Sequence, residues 1–382
     1  MNTIGPPQRR ATRLVFLTAG LAMAAWAPLV PYAKARLGLS EGTLGLLLLC
    51  LGAGSLLAMP LTGALSLRFG CRRVILSAGA LICLALPGLA LAASPLQLGL
   101  VLLLFGAAIG TFDVCVNIQA VIIEKAGGGA QMSGFHALFS VGGCAGAACM
   151  ALLLWLGARP AWACAVIVLL LAALLLAAGP SLLREAGAKE PQGPLFVVPH
   201  GSVILLGLLC FTVFLAEGSI LDWSALFLTS RRGVDPAQAG LGYAAFAIAM
   251  TAGRFSGDAI VRRFGGRRVL LLGGLCGGAG FFLTVLTDSV GASLGGFVLI
   301  GLGAANIVPI LFTAAGRQEA MPASLAVSAI TTFGYAGILA GPALIGFAAH
   351  ATNLSIAFAG LGCALLLVGL NARLCVPAPA SR

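Results

Sequence analysis

The chain has 382 residues, 60% of them hydrophobic and only 9% charged, with a mean hydropathy of +1.07. Soluble domains average about 25% charged residues, so the composition excludes a water-soluble globule and describes an integral membrane protein. The net charge of +11 comes from 22 Lys and Arg scattered over segment ends without a basic stripe, which sets nucleic acid aside and points to membrane topology.

Apolar windows between charged or turn-rich breaks predict about twelve spans in an all-α membrane protein. The first, 13–33, follows the basic start "MNTIGPPQRRATR", which looks like a signal peptide; cleavage would leave an odd number of spans, and the charge bias argues against it. Within it, Pro28 and Pro31 predict a bend, and Trp26 is either an aromatic surface beside a cavity or a lipid-facing anchor. Spans 42–66 and 73–93 flank the loop "RFGCRRVIL".

The fourth span, 97–123, holds Asp113 and Asn117 in "LLLFGAAIGTFDVCVNIQAVII". A carboxylate in mid-membrane is costly unless it faces the bundle interior or water, and Asn117 lies one turn further on the same face. Desolvated there, Asp113 can exchange a proton near neutral pH, and Asn117 can both donate to and accept from a hydroxylated solute. The alternative is a hydrogen-bonded Asp that fastens this span to a neighbour. In the fifth span, 133–157, His136 of "MSGFHALFSVGG" is either a proton relay near the inner end or a structural His bonded to a carbonyl. Span six, 162–183, closes the first half.

The break "REAGAKEPQGPLFVVPH" is charged and Pro-rich, and reads as a cytoplasmic linker, 184–200, between six-helix halves 1–183 and 201–382. The second half predicts spans 202–228, 237–261, 268–287, 291–314, 325–349 and 353–374. Span seven supplies Glu217 for solute or coupling, Trp223 for stacking on a sugar-like ring or anchoring at the interface, and an interfacial Asp222. In span ten, Asn306 is a candidate solute ligand and Pro309 marks a bend. The glycines of "VGGCAGA" and "GYAGILAGPALIG" allow close helix approach.

The loop at 68–76 returns as "RFGGRRVLL" at 263–271, again between the second and third spans of its half. Parallel repeats of this kind predict a transporter with its site between the halves. With the N-terminus inside, Lys and Arg gather on that side and leave Lys34, Arg36, Arg159, Arg231 and Arg232 outside, so both termini are expected in the cytoplasm. Most of the eleven cysteines lie in apolar segments without CxxC spacing and read as small lipid-compatible residues; no metal set is expected.

"GALSLRFGCRR" resembles the G-x-L-x-D-R-x-G-R-R signature of the major facilitator superfamily. Gly63, Leu65, Arg68, Gly70, Arg72 and Arg73 fit, while Leu67 replaces the Asp and Cys71 an Arg. In the second copy, Arg263, Gly265, Arg267 and Arg268 fit, Arg262 stands where the Asp would fall, and Asp258 lies one turn earlier at i,i+4 from Arg254. "FDVCVNIQ", "MSGFHALFSVGG", "EGSILDWSALFL" and "FGYAGILAGPALIG" are similar to the rhizopine-transport (MosC-like) and fucose-permease-like groups. That resemblance implies proton coupling through an acid in span four together with one in span one; Asp113 matches by span, and span one holds no acid.

No strand-loop-helix phosphate cradle and no nucleophile–base pair is recognisable, which argues against an ATP-driven pump and against an enzyme. The expected function is secondary active transport of a small polar solute (sugar, cyclitol or derivative) by alternating access with proton symport. Proton-antiport efflux of amphipathic compounds is the rival, and a receptor or scaffold the reading from another class. The expected partners are a small-molecule substrate, protons and the lipid bilayer, with no nucleic acid and no cofactor. The chain is expected to act as a monomer in the cytoplasmic (inner) membrane.

Overall fold

The structure, a computed structural model, describes residues 4–184, 198–235 and 238–376. The expected linker, 184–200, falls almost entirely outside the described residues. In chain order the long helices are α1 (Pro6–Leu37), α2 (Glu41–Phe69), α3 (Cys71–Leu91), α4 (Pro95–Gly127), α5 (Met132–Trp155) and α6 (Pro160–Ser181). They continue with α7 (Ser202–Arg232), α8 (Leu241–Phe264), α9 (Gly266–Leu286), α10 (Val290–Arg317), α11 (Ala323–Ala351) and α12 (Leu354–Leu370). No strand occurs among the described residues. Ten of these helices are long and apolar enough to cross a membrane. The other two are α12, apolar but only 17 residues long, and α8, which carries Arg254, Asp258, Arg262 and Arg263.

The helices break where their sequences forbid the regular ladder. The first α-helical stretch of α1 ends at Ala24, passes through a 3-10 turn at Ala27–Leu29 and resumes at Val30, because Pro28 and Pro31 have no N–H to offer. Helix α10 stops at Ala304 and resumes at Ile307, with Asn306 in the gap ahead of Pro309. Starts are capped by side chains: Ser94 accepts from Gln97 N at 3.2 Å and Ser289 from Ala292 N at 3.4 Å, satisfying an amide that the first turn leaves open.

Two compact units are present: Met1–Gly128, Leu138–Val198 and Met321–Ala329 form the first, and Gly129–Ala137, Pro199–Ala320 and Ile330–Arg382 the second. Each is built on the same plan. In the first, a Cβ on Gly106 would lie 1.9 Å from Leu51 O and one on Gly142 2.1 Å from Leu17 O, so α4 meets α2 and α5 meets α1 backbone to backbone. In the second, Gly301 stands in the same way 2.3 Å from Phe246 O and Gly337 2.3 Å from Phe211 O. The interval from Gly106 to Gly301 and from Gly142 to Gly337 is the one that separates Arg68 from Arg263. In lipid no hydrophobic force drives helices together, so such small-residue crossings and their dispersion contacts do much of the holding.

The repeated loops share one backbone feature. Gly70 and Gly265 both have φ of 80° with ψ of 154° and 145°, a conformation that an L-side chain rarely adopts. Each unit also ties a helix end with an arginine. Arg36 at the end of α1 donates from Nε to Ala92 O at 3.1 Å, from Nη2 to Leu89 O at 3.0 Å and from Nη1 to Ala90 O, at the carbonyl end of α3. Arg232 at the end of α7 donates from Nη2 to Thr284 O at 2.7 Å, near the carbonyl end of α9, and from Nε to Ser293 Oγ at 3.0 Å. Cations placed on unsatisfied helix-end carbonyls complement the macrodipole.

Candidate solute and proton site

In the first unit, Asp113 lies near the middle of the 33-residue α4, half-buried between the fully buried Phe112 and Val114. Asn117 follows one turn later at 1% exposure. Its Nδ2 donates to the backbone carbonyl of Asp113 at 2.9 Å, while its buried Oδ1 has no partner. The carboxyl of Asp113 is therefore not consumed by Asn117, and the amide oxygen is left as an open acceptor on the same helix face. Trp26, in the broken segment of α1, is 5% exposed, and its indole N–H is likewise buried without an acceptor. A buried indole donor normally finds a partner.

The second unit gathers a denser polar group. Glu217 Oε1 on α7 lies 3.8 Å from Arg254 Nη2 on α8, the two side chains being 18% and 10% exposed. The charge of Arg254 also acts on His136, in the first turns of α5. The His136 ring is buried and sits 5.6 Å from the Phe312 ring at a tilt of 48°. One turn beyond Arg254, Asp258 accepts from Ser133 N through Oδ1 and from Gly134 N through Oδ2, each at 3.0 Å. Its carboxylate thus sits on the open amides at the start of α5, where the dipole favours an anion. Arg262 completes the clasp by donating to Ala130 O at 3.0 Å. A Cβ on Gly134 would come within 2.6 Å of Asp258 Oδ2 and would have to displace the carboxylate.

Asn306 fills the gap in α10. Its Nδ2 donates to Gly253 O at 3.1 Å, and its Oδ1, without a hydrogen-bond partner, lies where a Cβ on Gly257 would come within 1.8 Å. One end of this amide is committed to fastening α10 to α8. Trp223 is half-buried on α7 with its ring against Gly346 of α11 and its indole N–H buried and open, whereas Asp222 is exposed.

The loop residues share a ring contact across the repeat and differ elsewhere. Arg68 lies over Phe69 and Arg263 over Phe264, each at 5.4 Å. Arg72 N donates to Leu183 O at 2.7 Å; Arg73 and Arg268 are exposed and Arg267 half-buried. Gly63, which corresponds by the repeat interval to Asp258, also differs: it packs on the start of α11, where a Cβ would lie 2.9 Å from Ser324 O. The same position is a charged cap in one unit and a bare contact in the other.

The structure thus brings together Asp113 with Asn117, and separately Glu217, Arg254, His136 and Asp258. Sequence spacing suggests an Arg254–Asp258 pair; the ion pair described for Arg254 runs to Glu217, and Asp258 serves two amides of α5. Ser133, Gly134 and Phe312 carry no signal as site residues in the sequence. Arg36 and Arg232 signal only as charges at segment ends.

Known proteins share this plan. The family model described as Major Facilitator Superfamily matches residues 14–320. A protein of Yersinia pestis named as an uncharacterized MFS-type transporter is 59% identical over 370 residues, covering 97% of this chain and 96% of that one. The membrane protein MosC of Rhizobium meliloti is 33% identical over 361 residues, covering 94% and 86%. Among solved structures, the fucose:proton symporter FucP of E. coli superposes with a TM-score of 0.82 at 14% identity, covering 99% of this chain and 100% of that one. The proton:xylose symporter XylE does so with a TM-score of 0.72 at 15% identity, covering 97% and 95%. The chain belongs to the major facilitator superfamily and is a membrane transporter of that type.

Proposed function

We propose that this transporter imports a small polar solute, a sugar, cyclitol or derivative, together with protons. The chain crosses the cytoplasmic (inner) membrane twelve times, keeps both termini in the cytoplasm and acts as a monomer. Its halves, 1–183 and 201–382, rock around a central site in alternating access. Asp113 is the proton carrier, Glu217 and His136 take part in coupling, and Asn117, Trp26, Trp223 and Asn306 contact solute. The loop residues Gly63, Arg68, Gly70, Arg72 and Arg73, with Arg254, Asp258, Arg263, Gly265, Arg267 and Arg268, bias the conformational change.

The observation that carries this reading is the open hydrogen-bonding capacity beside a mid-membrane acid: Asn117 Oδ1 is buried without a partner one turn from Asp113. An unmade hydrogen bond in a buried site is costly, and a hydroxylated solute would make it. FucP and XylE, which share the fold, are named as proton symporters of sugars. A thermal-shift screen of purified protein against sugars, cyclitols, amino sugars and common drugs tests the solute class. A polyhydroxylated compound at about 100 times its Kd stabilises by about 2.7 kcal/mol and raises the melting temperature. Shifts confined to amphipathic drugs would transfer the reading to efflux.

A further inference from the structure

The second copy of the repeated loop borders a cavity of about 960 Å³, whereas the cavity of about 440 Å³ beside the first is lined by one arginine, Arg73, among mostly apolar residues. The walls of the larger cavity include Arg263, Arg267, Arg268 and Arg373, together with Leu271 and Leu370, and no acidic residue lines it among the described residues. None of the four arginines has a carboxylate partner among the described residues. Arg267 and Arg268 stand in the first turn of α9, which contains no acid, so their charges add to the positive end of the helix instead of opposing it. Four like charges around one hollow repel one another and are relieved by a bound anion.

The first copy treats the same backbone differently. There Gly70 and Cys71 are buried, and Leu183 O accepts from Arg72 N at 2.7 Å. At the second copy Gly265 is exposed and the hollow stands open. Its rim is apolar as well as basic: Phe264 is 47% and Leu370 63% exposed. A free inorganic anion has no use for those surfaces, while an amphiphile with an anionic head does. Helix α9 is long and apolar enough to cross a membrane, which brings its first turn to the depth of lipid headgroups.

We propose that this cavity binds one anionic phospholipid, with the phosphate between Arg267, Arg268 and Arg373 and the acyl chains along Leu370 and Phe264. Basic pockets between membrane helices are suited to such headgroups. The site is independent of the solute and of the coupling ion.

The test uses the purified full chain in a neutral detergent, with native mass spectrometry and thermal unfolding as readouts. Phosphatidylglycerol is expected to bind at one copy per protein and raise the melting temperature, whereas phosphatidylcholine and glycerol 3-phosphate at equal concentration do neither. The variant Arg267→Gln/Arg268→Gln/Arg373→Gln is expected to weaken that binding about tenfold or more, the loss of roughly 1.4 kcal/mol. Arg72→Gln/Arg73→Gln, in the first copy, leaves it unchanged. Should the triple variant fail to fold, Arg373→Gln alone, at an exposed position, carries the same expectation in smaller measure. Equal binding of glycerol 3-phosphate would make this a free-anion site and overturn the lipid assignment. Unaltered phosphatidylglycerol binding by the arginine variants would overturn the site itself.

Discussion

Arg254→Ala is expected to lower the stability of the purified protein by about 3 kcal/mol, because removing one member of a buried ion pair leaves the other charge without compensation. Glu217 Oε1 lies 3.8 Å from Arg254 Nη2, and neither side chain has more than 18% of its surface exposed. Paired removal behaves differently: Arg254→Leu/Glu217→Leu restores most of the loss, since two apolar groups of similar volume replace two charges that had to be desolvated. Thermal unfolding of the single and double variants measures both values. Equal destabilisation in the two would show that Arg254 matters through contacts other than Glu217. The double variant also separates structure from coupling, because a folded protein without Glu217 still reports whether solute accumulates.

Asp113→Asn is expected to abolish proton-driven accumulation and to spare exchange of solute across the membrane. Asn keeps the size of the side chain and its hydrogen bonding but cannot take up a proton at any relevant pH. A gradient of one pH unit is worth about 1.4 kcal/mol per proton, so one-to-one coupling supports roughly tenfold accumulation, and the uncoupled variant settles at equal concentrations on both sides. Uptake into vesicles under an imposed gradient, compared with counterflow without one, measures the two activities separately. If accumulation is unchanged in the variant, Asp113 is a structural residue of α4, and the search for the carrier moves to Glu217. Helix α1, from Pro6 to Leu37, contains no acidic residue that can share the task.

Much of the fold is legible in the sequence because lipid imposes simple terms on it. Each apolar window corresponds to a helix, Pro28 and Pro31 break α1, and α10 gives way just before Pro309. The loop repeat is visible as residues, and the crossings at Gly106 and Gly301 and at Gly142 and Gly337 carry it into the packing. The candidate site is less legible, since its chemistry depends on which helix end or carbonyl stands opposite. The spacing of Arg254 and Asp258 suggests a local pair, but nothing in it announces that α5 offers two open amides to Asp258 or that α7 offers Glu217 to Arg254. Asn306 is conspicuous as an amide in an apolar run; that its nitrogen is committed to Gly253 is a property of the fold. Arg36 and Arg232 likewise count as topology signals in the sequence and as caps on helix-end carbonyls in three dimensions.

The proposed symport moves solute and protons in the same direction. It is tested most directly by reconstituting the purified protein into liposomes with a pH-sensitive dye inside and adding the polyhydroxylated solute identified by thermal shift to the outside. The lumen is expected to acidify as solute enters, an inward proton gradient to drive accumulation, and a protonophore to collapse it. Lumen alkalinisation on solute entry, or entry indifferent to the gradient, would contradict it.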